Sequence, residues 1–255
     1  IGAVDFLEKP IALQKLRATV QKALRPSVAH LRPELNLSSL GKGTVILDLK
    51  KQLERVLPLK TPVLLVGEPG VGFEACAHFF TGPGQQFIAP ENVEKALDAP
   101  AELLQQAGNG VLFLREVGKL AARSQQGLMQ VLGKLEKHNV RLVMATSRPP
   151  ADIFQDRGFD QGLFALIANL QVALPPLRAH REDVPDLAVQ MLRQQIEHKR
   201  VAPVKFDIAA LNALRNHDWP GNLEQLQNIV ASLAATAGSE DISAQDVNRL
   251  LAPYV

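Results

Sequence analysis

A single cysteine, Cys76, among 255 residues leaves nothing for an internal disulfide and no thiolate set for a zinc cluster. Such a chain holds its fold by packing and fits a reducing compartment. Cys76 itself is expected to pack inside a helix. Long apolar runs are missing too: no stretch approaches the ~18 unbroken apolar residues of a membrane span. The start also lacks the charged and then apolar segments of a signal peptide. A soluble, cytoplasmic protein with no membrane partner is the expectation. Charge of one sign is equally scarce. The 28 Lys and Arg against 26 Asp and Glu leave a formal net charge of +2. Both signs are mixed throughout, which argues against a strongly basic nucleic-acid face within this chain. Contact with DNA, if made, is expected through a segment outside it. His30, His78, His138, His180, His198 and His217 are scattered without metal-ligand spacing, so structural or surface places are expected and no bound metal. No internal repeat or low-complexity tract is present.

What the chain does have is apolar content, 46% of its residues, enough for one large core or two modest ones. Residues 1–25 read as a strand end, a Lys9-Pro10 turn and a helix with Leu13, Leu16, Val20 and Leu24 on one stripe. Residues 26–37, with Pro26 and Pro33 and no apolar period, read as a linker. Ile46, Leu49, Leu53, Val56 and Leu57 form a helical face ahead of an apolar strand over 62–66. Two further runs, 111–114 and 141–145, flank a helical pattern over 122–137 and fit buried parallel strands. After Pro175-Pro176 the pattern changes to four helices, near 184–198, 207–216, 221–236 and 243–252, with no strand among them. Asp207 and Ser243 read as N-caps and Gly238 as a stop.

The segment Leu64-Leu65-Val66-Gly67-Glu68-Pro69-Gly70-Val71-Gly72-Phe73-Glu74 runs an apolar strand into a glycine-rich loop. Gly67, Gly70 and Gly72 keep the shape of a phosphate loop, in which backbone N–H groups close around anionic oxygens at a helix start. The lysine of the pattern G-x-x-x-x-G-K-[ST] is Phe73, which brings neither charge nor donor. Two readings stay open from this segment: a plain strand-turn-helix connection, or a decayed nucleotide site.

Downstream come the acidic strand end Leu112-Phe113-Leu114-Arg115-Glu116, the strand end Ala145-Thr146-Ser147, then Leu174-Pro175-Pro176-Leu177-Arg178, then Asp218-Trp219-Pro220-Gly221-Asn222-Leu223. In this order the chain, over about residues 38–255, resembles the central AAA+ domain of bacterial enhancer-binding activators of the NtrC type, which remodel sigma-54 RNA polymerase with ATP. The opening Gly2-Ala3-Val4-Asp5-Phe6-Leu7-Glu8-Lys9-Pro10 resembles the final turn of a response-regulator receiver domain. The resemblance implies an α/β fold, an AAA+ P-loop NTPase-like parallel sheet with a C-terminal α-helical lid subdomain. It implies the order receiver end (1–25), linker (26–37), α/β subdomain (38–177) and lid (178–255). Because the chain opens on Ile1 inside a pattern, it is expected to belong to a longer protein.

The resemblance also says what each functional position should hold. The second-strand motif carries an aspartate that organises Mg²⁺ and a glutamate that polarises water; here they are Arg115 and Glu116. A cation ~4 Å from Mg²⁺ at an effective dielectric of ~20 implies repulsion on the order of 8 kcal/mol before relaxation. Metal binding should be lost if Arg115 faces the pocket; as a strand-end surface residue it would have no such effect. The family's trans-acting arginines fall on Asp160 and Leu166, its lid arginine on Glu224, and its third-strand polar sensor on Ser147. Arginine fingers can be worth 10³–10⁵ in rate. The Gly-Ala-Phe-Thr-Gly-Ala loop that touches the sigma factor has no counterpart, because residues 89–107 already read as helical.

Lysine, metal aspartate, two fingers and lid arginine all supply charge to catalysis, while the residues that build the fold remain. The expectation is a pseudo-ATPase regulatory domain with no catalytic residue, no cofactor and no sigma-54 contact. Gly67, Gly70, Gly72, Phe73, Arg115 and Glu116 form its degenerate nucleotide pocket. Self-association as a dimer and contact with a receiver domain of the same protein are the expected partners, although the 13–24 stripe could equally pack on that receiver. Two alternatives stay open. One is a metal-independent nucleotide or cyclic-dinucleotide sensor in which Arg115 grips a phosphate. The other is an active sigma-54 remodelling ATPase, disfavoured by the five losses. Arg178 and Arg181 are expected to bridge body and lid, with Trp219 anchoring the lid core beside Leu187, Met191, Leu192 and Ile196.

Overall fold

Alternate residues of the central strands feed opposite cores, and this sets the architecture. In the computed structural model, which describes residues 37–199, 203–238 and 240–254, strands β1 (Val63–Val66), β2 (Phe87–Ile88), β3 (Val111–Leu114), β4 (Arg141–Thr146) and β5 (Gln171–Ala173) form one sheet in the order β2-β3-β4-β1-β5. Every pairing is parallel, with Val63 opposite Val143 and Val111 opposite Arg141. Val63, Leu65, Phe113, Val143 and Val172 point into one core, and Leu64, Leu112, Leu114, Leu142 and Met144 into the other. Both faces are covered, so the strands read as unbroken apolar runs. Each fully buried leucine here contributes about 1.5–3 kcal/mol by its removal from water.

Helix α1 (Thr44–Val56) buries Ile46, Leu49, Leu53 and Val56, while Leu57 just beyond it is exposed. It has no cap of its own. At its start the Asp183 carboxylate accepts from the Lys42 and Gly43 N–H groups at 2.9 and 2.8 Å. At its end the Arg141 guanidinium donates to the Leu57 and Val56 carbonyls at 3.0 and 3.2 Å and lies over the Phe80 ring. Orphan groups at both ends are thereby satisfied from distant elements. Helix α2 (Phe73–His78) follows β1, and Cys76 on it is fully buried, its thiol pushed up to about 12 by burial. Helices α3 (Val93–Leu97) and α4 (Pro100–Gln106) lead into β3. Then come α5 (Ala122–Leu132), α6 (Leu135–His138), α7 (Pro150–Gln155) and α8 (Gln161–Ile167).

A 3-10 segment, Leu177–Asp183, leads to the helical lid: α9 (Val184–Lys199), α10 (Ile208–Asn216), α11 (Asn222–Thr236) and α12 (Ala244–Leu251). Asp207 caps α10 by accepting from the Ala210 N–H at 2.6 Å, and Ser243 with Asp246 forms a capping box on α12. Trp219 is fully buried in the lid core, where its Nε1 donates to the Leu214 carbonyl at 2.8 Å. Leu187 and Leu192 are buried in the same core, with Met191 and Ile196 packed against it. The lid also holds a short parallel ladder, β6 (Lys205–Phe206) with β7 (Asp241–Ile242), where the sequence offered only helices. Two-residue strands carry too little periodicity to be read from pattern. The receiver-like end over 1–25, its apolar stripe, His30 and the linker up to residue 36 lie outside the described residues. Among the described residues no helix is long and apolar enough to cross a membrane.

Candidate functional site

The carboxyl ends of β1, β3 and β4 gather three segments at one rim of the sheet, the usual location for a ligand in an open parallel sheet. They are the glycine loop after β1, Arg115-Glu116 after β3 and Ser147 after β4. Gly70 and Gly72 adopt φ of +78° and +93°, the left-handed region that favours glycine. A Cβ on Gly70 would lie 2.3 Å from the Gly221 carbonyl oxygen, and one on Gly72 would lie 2.4 Å from Leu40 Cδ2. Gly67 is also tight, with Val71 Cγ2 and the Leu174 oxygen 3.1 and 3.2 Å from an added Cβ. The glycines therefore serve contacts made by the protein itself. Phe73, at the lysine position, opens α2 and packs against the core cluster.

Arg115 is part-exposed and turned to the loop helix. Its guanidinium donates to the Glu74 carboxylate in a part-buried ion pair and lies 5.8 Å from the Phe113 ring centroid. Glu74 comes directly after Phe73, so one carboxylate of the loop helix is matched by the cation at the strand end. Glu116, at φ +53°, is bound differently. Its Oε2 accepts from the Ser147 Oγ and N–H at 2.9 and 3.2 Å, and Lys119 Nζ lies 3.1 Å from it. Lys119 also donates to Ser147 Oγ at 2.9 Å. A third pair is made by the loop's Glu68, whose two carboxylate oxygens take the Arg178 fork at 2.5 and 2.7 Å. That guanidinium, helped by Asn222, holds the Glu68 carboxyl below the usual carboxylate range, against a smaller opposing effect of burial. Three acids around the rim thus each carry an internal cation.

The strand end carries a cation where a carboxylate would be needed. A Mg²⁺ site needs carboxylate oxygens free to approach at ~2.1 Å, and here the strand-end position is a cation already bound to Glu74. Among the described residues no group of three or more His, Cys, Asp or Glu side chains could hold a metal ion. Arg115 gives one guanidinium nitrogen to Glu74, and its side chain is part-exposed.

Asp160 caps α8 by accepting from the Leu163 N–H at 2.7 Å, and Leu166 is exposed. Glu224 lies on the first turn of α11, its N–H donating to the Gly70 carbonyl at 3.3 Å. Arg178 bridges to the body, whereas Arg181 stays within the lid, pairing with Asp218 and donating to the Asn216 carbonyl at 3.1 Å. Between α3 and α4 only Asp98 and Ala99 intervene, and Asp98 pairs with Arg123 at 2.9 Å. Sequence reasoning did not find Glu74, Lys119 or Asn222 as partners. The available signal was that Arg115 stands where the motif places an acid.

The chain matches the sigma-54 interaction domain over residues 40–177 and the AAA+ ATPase lid domain over residues 178–253. It is 29% identical over 293 residues to the nitrogen assimilation regulatory protein NtrX of Azorhizobium caulinodans, covering 100% of this chain and 64% of that protein. It is 27% identical over 272 residues to the DNA-binding transcriptional regulator NtrC of Rhizobium meliloti, covering 92% of this chain and 56% of that one. The chain therefore spans between 56% and 64% of the length of these relatives. Among solved structures, NtrX from Brucella abortus in complex with ATP is similar with a TM-score of 0.74 and 26% identity, over 100% of this chain and 64% of that one. Domain III of the Thermotoga maritima replication initiation protein DnaA shares the fold at 17% identity, with a TM-score of 0.63 over 88% of this chain and 98% of that one.

Proposed function

This chain belongs to the sigma-54 interaction domain family, and on that premise we propose that it is the AAA+ regulatory domain of an NtrC-type transcriptional regulator that no longer hydrolyses ATP. The observation that supports this reading is the Arg115–Glu74 ion pair at the strand end where a metal-organising carboxylate would be needed. Phosphoryl transfer depends almost entirely on positioning and on positive charge placed against the transferred group. Around this rim the cations are all committed: Arg115 to Glu74, Lys119 to Glu116 and Ser147, Arg178 to Glu68. Phe73 supplies none, and Asp160, Leu166 and Glu224 replace the groups that would stabilise developing charge. Glu116 Oε2 already takes the Ser147 Oγ and N–H and the Lys119 ammonium, so that oxygen is occupied by the chain itself.

The two-residue Asp98-Ala99 link leaves no loop to reach a sigma factor, so the domain acts on transcription without sigma-54 engagement. Its regulation comes from self-association and from a receiver domain of the same protein, and DNA is contacted by another segment. Neither a nucleotide nor a metal is needed as a cofactor. The test is phosphate release from Mg-ATP by the purified chain. Release at the level of a heat-treated control is expected, and release well above it overturns the proposal. Calorimetric titration with ATP, ADP and cyclic dinucleotides, with and without Mg²⁺, should be silent; heat of binding without Mg²⁺ would favour a metal-independent sensor.

A further inference from the structure

We propose that the lid is held shut on the phosphate loop by the chain itself, as a clamp that needs no nucleotide. The idea deepens the reading above and rests on it for the premise that no triphosphate completes the site. Four contacts carry it.

The first is the fork of Arg178 on Glu68, at 2.5 and 2.7 Å, which ties the start of the lid to the second residue of the loop. The second is Asn222, fully buried at φ +53°. Its Nδ2 donates to the Pro69 carbonyl at 2.9 Å and to Glu68 Oε2 at 3.2 Å, and its Oδ1 accepts from the Leu177 N–H at 2.8 Å. Both ends of the amide are used, and it joins loop, 3-10 segment and lid helix at one point. Third, the N–H groups of Leu223 and Glu224 donate to the Gly70 carbonyl at 3.0 and 3.3 Å. These are first-turn donors of α11, the ones that would otherwise turn to an anion. Here they are given to the loop. Fourth, the Gly221 oxygen occupies the space a Gly70 side chain would need, so loop and lid are in van der Waals contact.

A second latch lies at the far end of the same 3-10 segment. Asp183 Oδ1 accepts from the Lys42 and Gly43 N–H groups, and Asp183 Oδ2 lies 3.1 Å from His180 Nδ1. Gly41, at φ +135°, lets Asp183 approach: a Cβ there would lie 2.3 Å from its Oδ2. Opening the lid must therefore break contacts at both Glu68 and Asp183. In a nucleotide-driven domain, a bound phosphate would bridge loop and lid. Here side chains and backbone of the chain bridge them permanently, so lid closure is a fixed property of the fold.

The test is hydrogen exchange on the whole chain, read at the amides of Leu223 and Glu224. Without nucleotide these amides should exchange at least about tenfold more slowly than in the Glu68→Gln, Arg178→Gln double variant. Millimolar ATP, with or without Mg²⁺, should change the wild-type rates by less than about threefold. Unprotected wild-type amides, or a larger slowing on adding ATP, overturn the clamp, and the nucleotide comparison decides alone if the double variant does not fold. ATP-induced protection without phosphate release would sink the clamp and leave the silent-ATPase reading standing. Phosphate release above the control would overturn the silent-ATPase reading and with it the premise of the clamp, even if exchange were unchanged.

Discussion

The guanidinium of Arg115, at the end of β3, is bound to the carboxylate of Glu74, on the first turn of α2. The pair connects the two segments that would have to cooperate in holding a metal. Its side chains are 39% and 21% exposed, so solvent screens it and its own contribution to stability is no more than about 1 kcal/mol. The Arg115→Asp variant replaces attraction by repulsion and should lower stability by about 1–2 kcal/mol. Added Mg²⁺ should recover part of that loss in the variant and leave the wild type unchanged, as read by the urea midpoint with and without the ion.

Asn222 makes the most concentrated set of buried polar contacts at the loop. Asn222→Ala removes the acceptor for the buried Leu177 N–H and the donor to the part-buried Pro69 carbonyl, while Glu68 keeps Arg178. The expected cost is about 2–4 kcal/mol, with the helical content retained, measured by denaturant titration followed by circular dichroism.

Glu68 gives the loop an acid dependence. Because its folded carboxyl is held low, chiefly by Arg178, the folded state favours the ionised form. The resulting stabilisation is complete above the unfolded value of about 4.3 and is lost as pH falls through the lower, folded value. Glu68→Gln should therefore flatten the acid limb of the stability curve below about pH 5 and remove the pH-dependent part of the lid contact. Thermal midpoints for both proteins across an acid series check this; an unchanged slope in the variant would show that Glu68 does not titrate with folding.

Much of the body was legible because its signals are local. The runs read at 62–66, 111–114 and 141–145 hold apolar residues for both faces of the strands, and the α1 stripe has a clear period. The caps at Asp207 and Ser243 were readable for the same reason, since an N-cap bonds three residues ahead. The short strands at 87–88, 171–173, 205–206 and 241–242 were not. They are strands because a longer neighbour or a packed partner offers a ladder, and their own residues do not announce it. Trp219 was readable as a core anchor, but its left-handed φ of +52° was not. Packing imposes that angle against local preference, with the Leu214 carbonyl fixing the indole.

The sequence by itself determined the alternation that builds a two-sided sheet, the glycines that shape the loop, and which charges are missing from it. Tertiary structure alone decided where the remaining charges go. Glu74 meets Arg115 across 41 positions, Glu68 meets Arg178 across 110, and Pro69 meets Asn222 across 153. Such pairs form only when the strand order brings distant segments to one rim, and no local propensity encodes them. That the Gly221 carbonyl sits where a Gly70 side chain would go is likewise a product of packing, which brings the start of α11 onto the loop.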